Sequence, residues 1–307
     1  MSKEQVHSFR YERDILLFLV FSTFKTKTMF GLFGKSKRKK EIKSTFKEYG
    51  YEIQKFRIDG YGEIDFANWL HPFNRPIHLG TSEVNFYKSL APEGSMIIDI
   101  GTYTGDTTVP MALAVGKSGI VLGLEPNPYV YKILEKNSEL NPDYTNIVPL
   151  PFAATEEDGE YVFNYSDASF CNGGFLSQIK NRKHKHNYEL KVQGRNFQKF
   201  LNENYADRLS QLSLLKVDAE GYDKDILNGL SDLISTYRPN IMAECYKRLT
   251  KEEREDLYDA MAKHNYTVYM NDTHYLSDGF VDTAKRVKLT KDTMSIKKHF
   301  EIIAIPN

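Results

Sequence analysis

Three short, mostly apolar runs constrain this chain more than any other feature: Met96-Ile-Ile-Asp-Ile100, Ile120-Val-Leu-Gly-Leu124 and Leu212-Ser-Leu-Leu-Lys-Val217. Each ends on a charged or glycine-bearing turn and leads into a helical stretch. Runs of this length without strict apolar/polar alternation suit strands covered on both faces, and strands that alternate with helices predict a parallel sheet. The same alternation continues through Asn146–Leu150, Pro239–Glu244, Tyr266–Met270 and Ile302–Ile305. The intervening helices are expected up to Val115, from Pro128, from Asp223 to about Leu230, and over Lys251–His264. The fold class that follows is α/β, a Rossmann-like, mainly parallel sheet with helices on both faces, over residues 94–307.

That pattern is interrupted between residues 157 and 191. Gly159, Gly173-Gly174 and the basic stretch Lys180–Lys185 read there as a β-rich insertion with a mobile loop, the kind of segment that often walls a substrate site. Residues 49–93 read as a cap region, with a β-like run over Tyr51–Ile58 and a helix over Ser82–Leu90 capped by Ser82.

Residues 1–48 differ in charge, carrying twelve Lys and Arg against five Asp and Glu, so the rest of this electrically neutral chain holds seven net negative charges. The apolar run Ile15–Phe21 is far shorter than the ~20 residues needed to span a bilayer. The lysines that follow it are in the wrong place for a secretory signal. Three readings stand: a basic tail, which we favour, a peripheral membrane anchor joining Ile15–Phe21 to Lys35–Lys40, or an over-extended start with Met29 as initiator. Two cysteines, Cys171 and Cys245, are too few for a disulfide framework or a thiolate zinc site and fit a reducing cytoplasm. Zero net charge gives no overall attraction to nucleic acid, and outside the tail and Lys180–Lys185 no basic stripe with interleaved aromatics appears. His78, His184 and His186 are too scattered to make a ligand set.

The chemistry-bearing positions lie at the carboxyl ends of the predicted strands. Asp99-Ile-Gly-Thr-Tyr-Thr-Gly105 places glycines where the chain turns sharply toward a ligand. Its Gly-x-x-x-Gly spacing matches neither the dinucleotide fingerprint nor the phosphate loop, which disfavours a nicotinamide dehydrogenase. Asp99 suits a cationic group such as the amino group of a methionine moiety. Glu125 ends the next strand, about twenty residues on, where a carboxylate accepts both ribose hydroxyls. Lys216, Asp218 and Glu220 crowd the end of the strand at 212–217 and can position a substrate hydroxyl or take its proton; a salt-bridge network holding the loop is the competing reading. Glu244 ends the next strand and either joins this rim or is structural.

Four stretches together carry a family likeness: Ile98–Gly105, Leu124-Glu-Pro-Asn-Pro128, Leu215-Lys-Val-Asp-Ala-Glu-Gly-Tyr222, and Arg238-Pro-Asn-Ile-Met-Ala-Glu244. Over about residues 80–270 the chain resembles the FkbM family of methyltransferases. The resemblance implies a class I methyltransferase fold with a seven-stranded sheet, S-adenosylmethionine as cofactor, and O-methylation of a sugar, polysaccharide or secondary metabolite. Carried over by position, it puts Asp99, Gly101 and Gly105 at the methionine side, Glu125 at the ribose, Ala153 beside the adenine, and Asp218 and Glu220 toward the substrate.

Thr102, Tyr103, Asp106, Pro126 and Asn127 complete the candidate cofactor positions. Thr102 and Tyr103 depart from the family's commoner Gly-Ala-Asn turn. Lys216, Asp218 and Glu220 are the candidate catalytic set, with Asp218 as first choice of base. A divalent metal on Asp218 and Glu220 is the less favoured alternative. The expected partner is a small-molecule or glycan acceptor, not nucleic acid, and the competing function is a non-catalytic binding module in cell-surface polysaccharide assembly.

Overall fold

The computed structural model describes residues 39–171, 174–176, 188–271 and 286–307. The chain divides into two units, one of residues 1–47 with 167–169 and one of residues 48–166 with 170–307. In the first, residues 39–44 form helix α1, and its last turn and the chain after it bond to 167–169: Ala168 N–H donates to the Lys43 carbonyl (2.8 Å) and Lys47 N–H to Ser169 Oγ (2.9 Å). The runs Ile15–Phe21 and 35–38, the loop positions 177–187 and residues 272–285 lie outside the described residues.

The second unit opens with an antiparallel hairpin, β1 (Tyr51–Ile58) and β2 (Gly62–Trp69), followed by α2 (Thr81–Leu90). Ser82 does not cap α2. Gly80 occupies the cap position without a side-chain bond, and the Ser82 hydroxyl donates to Glu83 instead. Four strand–helix units and one strand without a helix directly after it then follow: β3 (Met96–Ile100) and α3 (Thr108–Val115), β4 (Ile120–Leu124) and α4 (Pro128–Glu139), β5 (Ile147–Leu150) alone, β10 (Leu212–Val217) with α6 (Asp223–Gly229) and α7 (Ser231–Tyr237), and β11 (Asn240–Cys245) with α8 (Lys251–Ala262). The chain closes with β12 (Tyr266–Asn271), β13 (Val287–Lys288) and β14 (Phe300–Pro306). Strands β3, β4 and β10 coincide residue for residue with the three apolar runs.

These strands form one sheet in the order β13-β12-β14-β11-β10-β3-β4-β5. Seven make the expected mainly parallel sheet, in which β14 runs antiparallel to both β11 and β12. The eighth, β13, is a two-residue edge pairing on β12 that the sequence pattern does not signal. The chain builds outward from β3 to β5, then returns to start again at β10, so β3 and β10 are neighbours whose following connections leave in opposite directions. Open α/β sheets bind ligands at the carboxyl ends of such a pair.

Period-two alternation sorts the side chains onto the two faces. Met96, Ile98 and Ile100 of β3, Leu122 and Leu124 of β4, and Leu215 and Val217 of β10 pack with α6, α7 and α8. Ile97, Val121, Leu214, Met242 and Ile303 pack on the other face with α2, α3 and the buried side of the hairpin, Ile58, Ile64 and Phe66. Each such buried side chain contributes about 1.5–3 kcal/mol relative to exposure.

Between β5 and β10 the insertion folds as a second sheet, β6 (Ala153–Thr155), β9 (Tyr188–Asn196), β7 (Gly159–Tyr165) and β8 (Phe175–Leu176) in that spatial order, followed by α5 (Phe197–Asn204).

Candidate functional site

Alternation also decides where the charged residues go. Lys216 stands directly opposite Asp99 in the β3–β10 register, on the face that carries Ile97 and Leu214. Asp99 is fully buried. Its Oδ1 lies 3.1 Å from Lys216 Nζ, and its Oδ2 accepts from the Thr107 (3.0 Å) and Thr108 (2.7 Å) hydroxyls. Lys216 Nζ also donates to the Gly101 carbonyl (3.2 Å) and lies 3.8 Å from Asp218 Oδ2. Burial works to lower the Lys216 pKa, yet the Asp99 and Asp218 carboxylates overcome it and hold the ammonium charged. Asp99, read from sequence as a partner for a cationic ligand group, thus already has a cation of its own. Lys216 is set behind the rim as its support.

The turn after β3 is shaped by backbone crowding. Gly101 has φ +80°, and a Cβ there would stand 1.9 Å from the Asp218 carbonyl oxygen. Gly105, at φ +95°, faces Leu134 of α4. Between them Tyr103 takes φ 50°, an uncommon conformation for a residue with a side chain. Its hydroxyl donates to Asn74 Oδ1 (3.0 Å) and meets Cys171 Sγ (3.3 Å), so the ring is fixed by the cap region. Thr102 is buried and packs near Gly123.

Glu125 sits at the carboxyl end of β4, 8% exposed. Main-chain N–H groups of Asn127 (2.9 Å) and Tyr103 point at its carboxylate. Burial nevertheless dominates and pushes its pKa up to about 8. Pro126 and Asn127 lead into α4, whose first turn is closed by Asn127 Oδ1 accepting from Tyr129 N–H (3.0 Å), with Pro128 at the first helical position. Asp106, in the turn before α3, is pushed up to about 6 by burial. Ala153 begins β6 and pairs with Gly194.

At the end of β10 the chain turns through Asp218, Ala219, Glu220 (φ 51°) and Gly221 (φ 96°). Asp218 is the accessible carboxylate of the group, with its side chain 40% exposed. Asp223, which sequence reading treated only as a helix start, organises this turn. Its Oδ2 accepts from Gly221 N–H (3.1 Å) and its Oδ1 from Glu244 N–H (3.1 Å), tying the loop to β11. Burial raises the Asp223 pKa to about 8.

Glu301 is the residue sequence reasoning missed altogether. It lies on β14 directly opposite Glu244, and only the antiparallel register of the last strand brings it here. Its one sequence signal is a charge inside the otherwise apolar Phe300–Ile305 run. Burial, reinforced by Asp218, raises its pKa to about 7. His299 Nδ1 lies 3.3 Å from Glu244 Oε1.

The structure therefore brings Asp99, Gly101, Lys216 and Asp218 together at the β3–β10 join, with Glu125 on one side and Glu244 and Glu301 on the other. Among the described residues, no group of three or more His, Cys, Asp or Glu side chains is arranged to hold a metal ion, and no helix is long and apolar enough to cross a membrane.

A model of the methyltransferase FkbM domain matches residues 99–268, more than half of the chain. The chain belongs to the FkbM methyltransferase family. The matched stretch begins at Asp99 itself and takes in Glu125, Asp218 and Glu244, while Glu301 lies beyond it.

Among curated relatives of this FkbM chain, methyltransferase 1 of Beauveria bassiana (strain ARSEF 2860) is 26% identical over 154 residues, 46% of this chain and 60% of that protein. Protein-L-isoaspartate O-methyltransferase of Caenorhabditis elegans is 32% identical over 60 residues, 20% of this chain and 27% of that protein. The chain thus spans 60% or less of the length of these relatives. Solved structures with similar folds include a methyltransferase FkbM from Methylobacillus flagellatus KT (13% identity, 71% of this chain and 48% of that chain, TM-score 0.40). Another is Aeropyrum pernix fibrillarin with natively bound S-adenosyl-L-methionine (11% identity, 83% and 99%, TM-score 0.40).

Proposed function

We propose that this chain transfers a methyl group from S-adenosylmethionine to a hydroxyl of a sugar, polysaccharide or secondary metabolite. The observation that carries the reading is Glu125: a buried carboxylate at the end of β4, beside the glycine turn, with main-chain donors holding it in place. Such a group suits the two hydroxyls of a ribose, and the close approach of Gly101 to the Asp218 main chain keeps that point of the turn free of a side chain.

S-adenosylmethionine, when bound, supplies an electrophilic methyl group on a sulfonium whose departure leaves a neutral thioether. Glu125 would hold the ribose, the turn Gly101–Gly105 the methionine portion, and Ala153 the edge of the adenine. The chain's remaining task is to align the acceptor oxygen and receive its proton. Asp218 is the accessible carboxylate at the rim and is the base in this reading. Lys216, fixed by Asp99, stands 3.8 Å from Asp218. Glu220 is the second candidate. Burial raises its pKa.

Titration calorimetry with S-adenosylhomocysteine and, separately, NAD tests this reading. Saturable binding of the first alone is expected, weakened in Glu125→Ala. Asp218→Asn should retain that binding and lose methyl transfer. Folded protein that binds no S-adenosylhomocysteine would refute the proposal, and a fully active Asp218→Asn variant would remove Asp218 from the mechanism.

A further inference from the structure

Beyond the cofactor side, three adjacent strands carry acidic residues at one level of the sheet. Val217 pairs with Ala243, which sets Asp218 beside Glu244, and Glu244 stands directly opposite Glu301. Neighbours at one level of a sheet point to the same face. Like charges directly opposite one another are destabilising, and buried ones more so. A row of this kind either holds protons or needs a counter-charge: burial and the neighbouring carboxylates push Glu244 up to about 10, and burial with Asp218 pushes Glu301 up to about 7.

The cations nearby do not supply it. Lys216 is engaged by Asp99 and by the Gly101 carbonyl; it lies 3.8 Å from Asp218 and opposes, without overcoming, the rise in the Glu301 pKa. His299 touches Glu244 through Oε1 alone, and burial and Lys247 depress its pKa against an opposing pull from Asp218. Lys247 and Arg248 are solvent-exposed and act on Glu220. At the far end of the row Arg286 donates to Asn271, the neighbour of Glu301 on β12.

Glu244 itself is 7% exposed, and its Oε2 finds no hydrogen-bond partner among the described residues. A buried carboxyl oxygen left unpaired costs free energy comparable to a lost hydrogen bond. It is therefore an acceptor waiting for a donor. A neutral hydroxyl would satisfy the oxygen but leave Glu244 and Glu301 holding their protons. A metal ion would need convergent ligands, an arrangement not found among the described residues. An ammonium group supplies both donors and charge, and one such group can be shared by two carboxylates.

We propose that Glu244 and Glu301, flanked by Asp218, form a subsite for the ammonium group of the acceptor, so that the substrate is an amino alcohol: an amino sugar or an amine-bearing metabolite whose nearby hydroxyl lies against Asp218. This rests on the methyl-transfer reading above and narrows its substrate class. The unprotonated row is completed only when the amine binds, so binding releases protons held by Glu244 and Glu301 in the free protein.

The test uses the full chain loaded with S-adenosylhomocysteine. D-glucosamine and ethanolamine are titrated in parallel with N-acetyl-D-glucosamine, ethylene glycol and magnesium chloride, in two buffers of different ionisation enthalpy. The amines should bind at least about ten-fold more tightly than their uncharged counterparts, the equivalent of one charge-assisted contact, with proton release. The preference should vanish in Glu244→Gln/Glu301→Gln protein that still binds S-adenosylhomocysteine. No amine preference in wild type, or an equal preference in the double variant, overturns the subsite. A magnesium response without an amine response overturns it in favour of a metal centre. Failure of S-adenosylhomocysteine to bind wild-type protein, read before any amine is added, refutes the underlying methyl-transfer reading instead.

Discussion

Gly101 and Asp218 meet backbone to backbone: a Cβ on Gly101 would lie 1.9 Å from the Asp218 carbonyl oxygen. The contact joins the turn after β3 to the turn after β10, and Asp218 N–H donates to the Ile100 carbonyl (3.0 Å) at the same place. The glycine turn and the rim that carries the proposed base are therefore one mechanical unit. Gly101→Ala combines this collision with a φ of +80° that alanine rarely adopts. We expect it to cost more than about 2 kcal/mol, seen as a lower thermal midpoint in calorimetry. Ligand binding should fall with it. A variant of unchanged midpoint would mean the two turns separate without penalty.

Removing Lys216 leaves Asp99 buried with a charge and no cation. Lys216→Met should therefore destabilise the protein by about 3–5 kcal/mol, the usual penalty for breaking a buried pair from one side. Asp99→Asn/Lys216→Met should recover much of that loss in denaturant unfolding, since both charges are then gone. Equal stability of the single and double variants would show that Asp99 relies on Thr107 and Thr108 alone.

Glu125 gives ligand binding a pH dependence of predictable sign. Burial sets its pKa near 8 in the free protein, so part of the population is protonated at neutral pH, and only the ionised form accepts from two ribose hydroxyls. Affinity for S-adenosylhomocysteine should rise as pH increases from about 6.5 to 9. Glu125→Gln should bind weakly with a flatter profile. Calorimetric titrations across that range decide it.

The buried carboxyls also set how stability responds to pH. Asp223 and Glu125 near 8, Glu301 near 7 and Asp106 near 6 all titrate above their ordinary values because of burial. Between the unfolded values near 4 and these folded ones, the native protein holds protons that the unfolded chain has released. Their stabilisation is complete below about pH 4 and is lost progressively as pH rises to about 8. The thermal midpoint should be higher at pH 6 than at pH 9, and Glu301→Gln should reduce the difference.

Local pattern was sufficient for much of this molecule. The apolar runs at 96–100, 120–124 and 212–217 could only be strands buried on both faces, and the charges that end them could only lie at the sheet's carboxyl edge. Asp99, Glu125 and Asp218 were legible for that reason. Spacing along one chain says nothing of which strands become neighbours, and that is what tertiary structure decided. The β3–β10 register turned Asp99 toward Lys216. The β11–β14 register set Glu301 against Glu244 from some 57 positions away. The side chain of Asn137 on α4, an unremarkable polar residue in sequence, holds β2 through the Ala67 main chain. Alternation is a property of neighbours in sequence, whereas the charge on a buried group depends on neighbours in space.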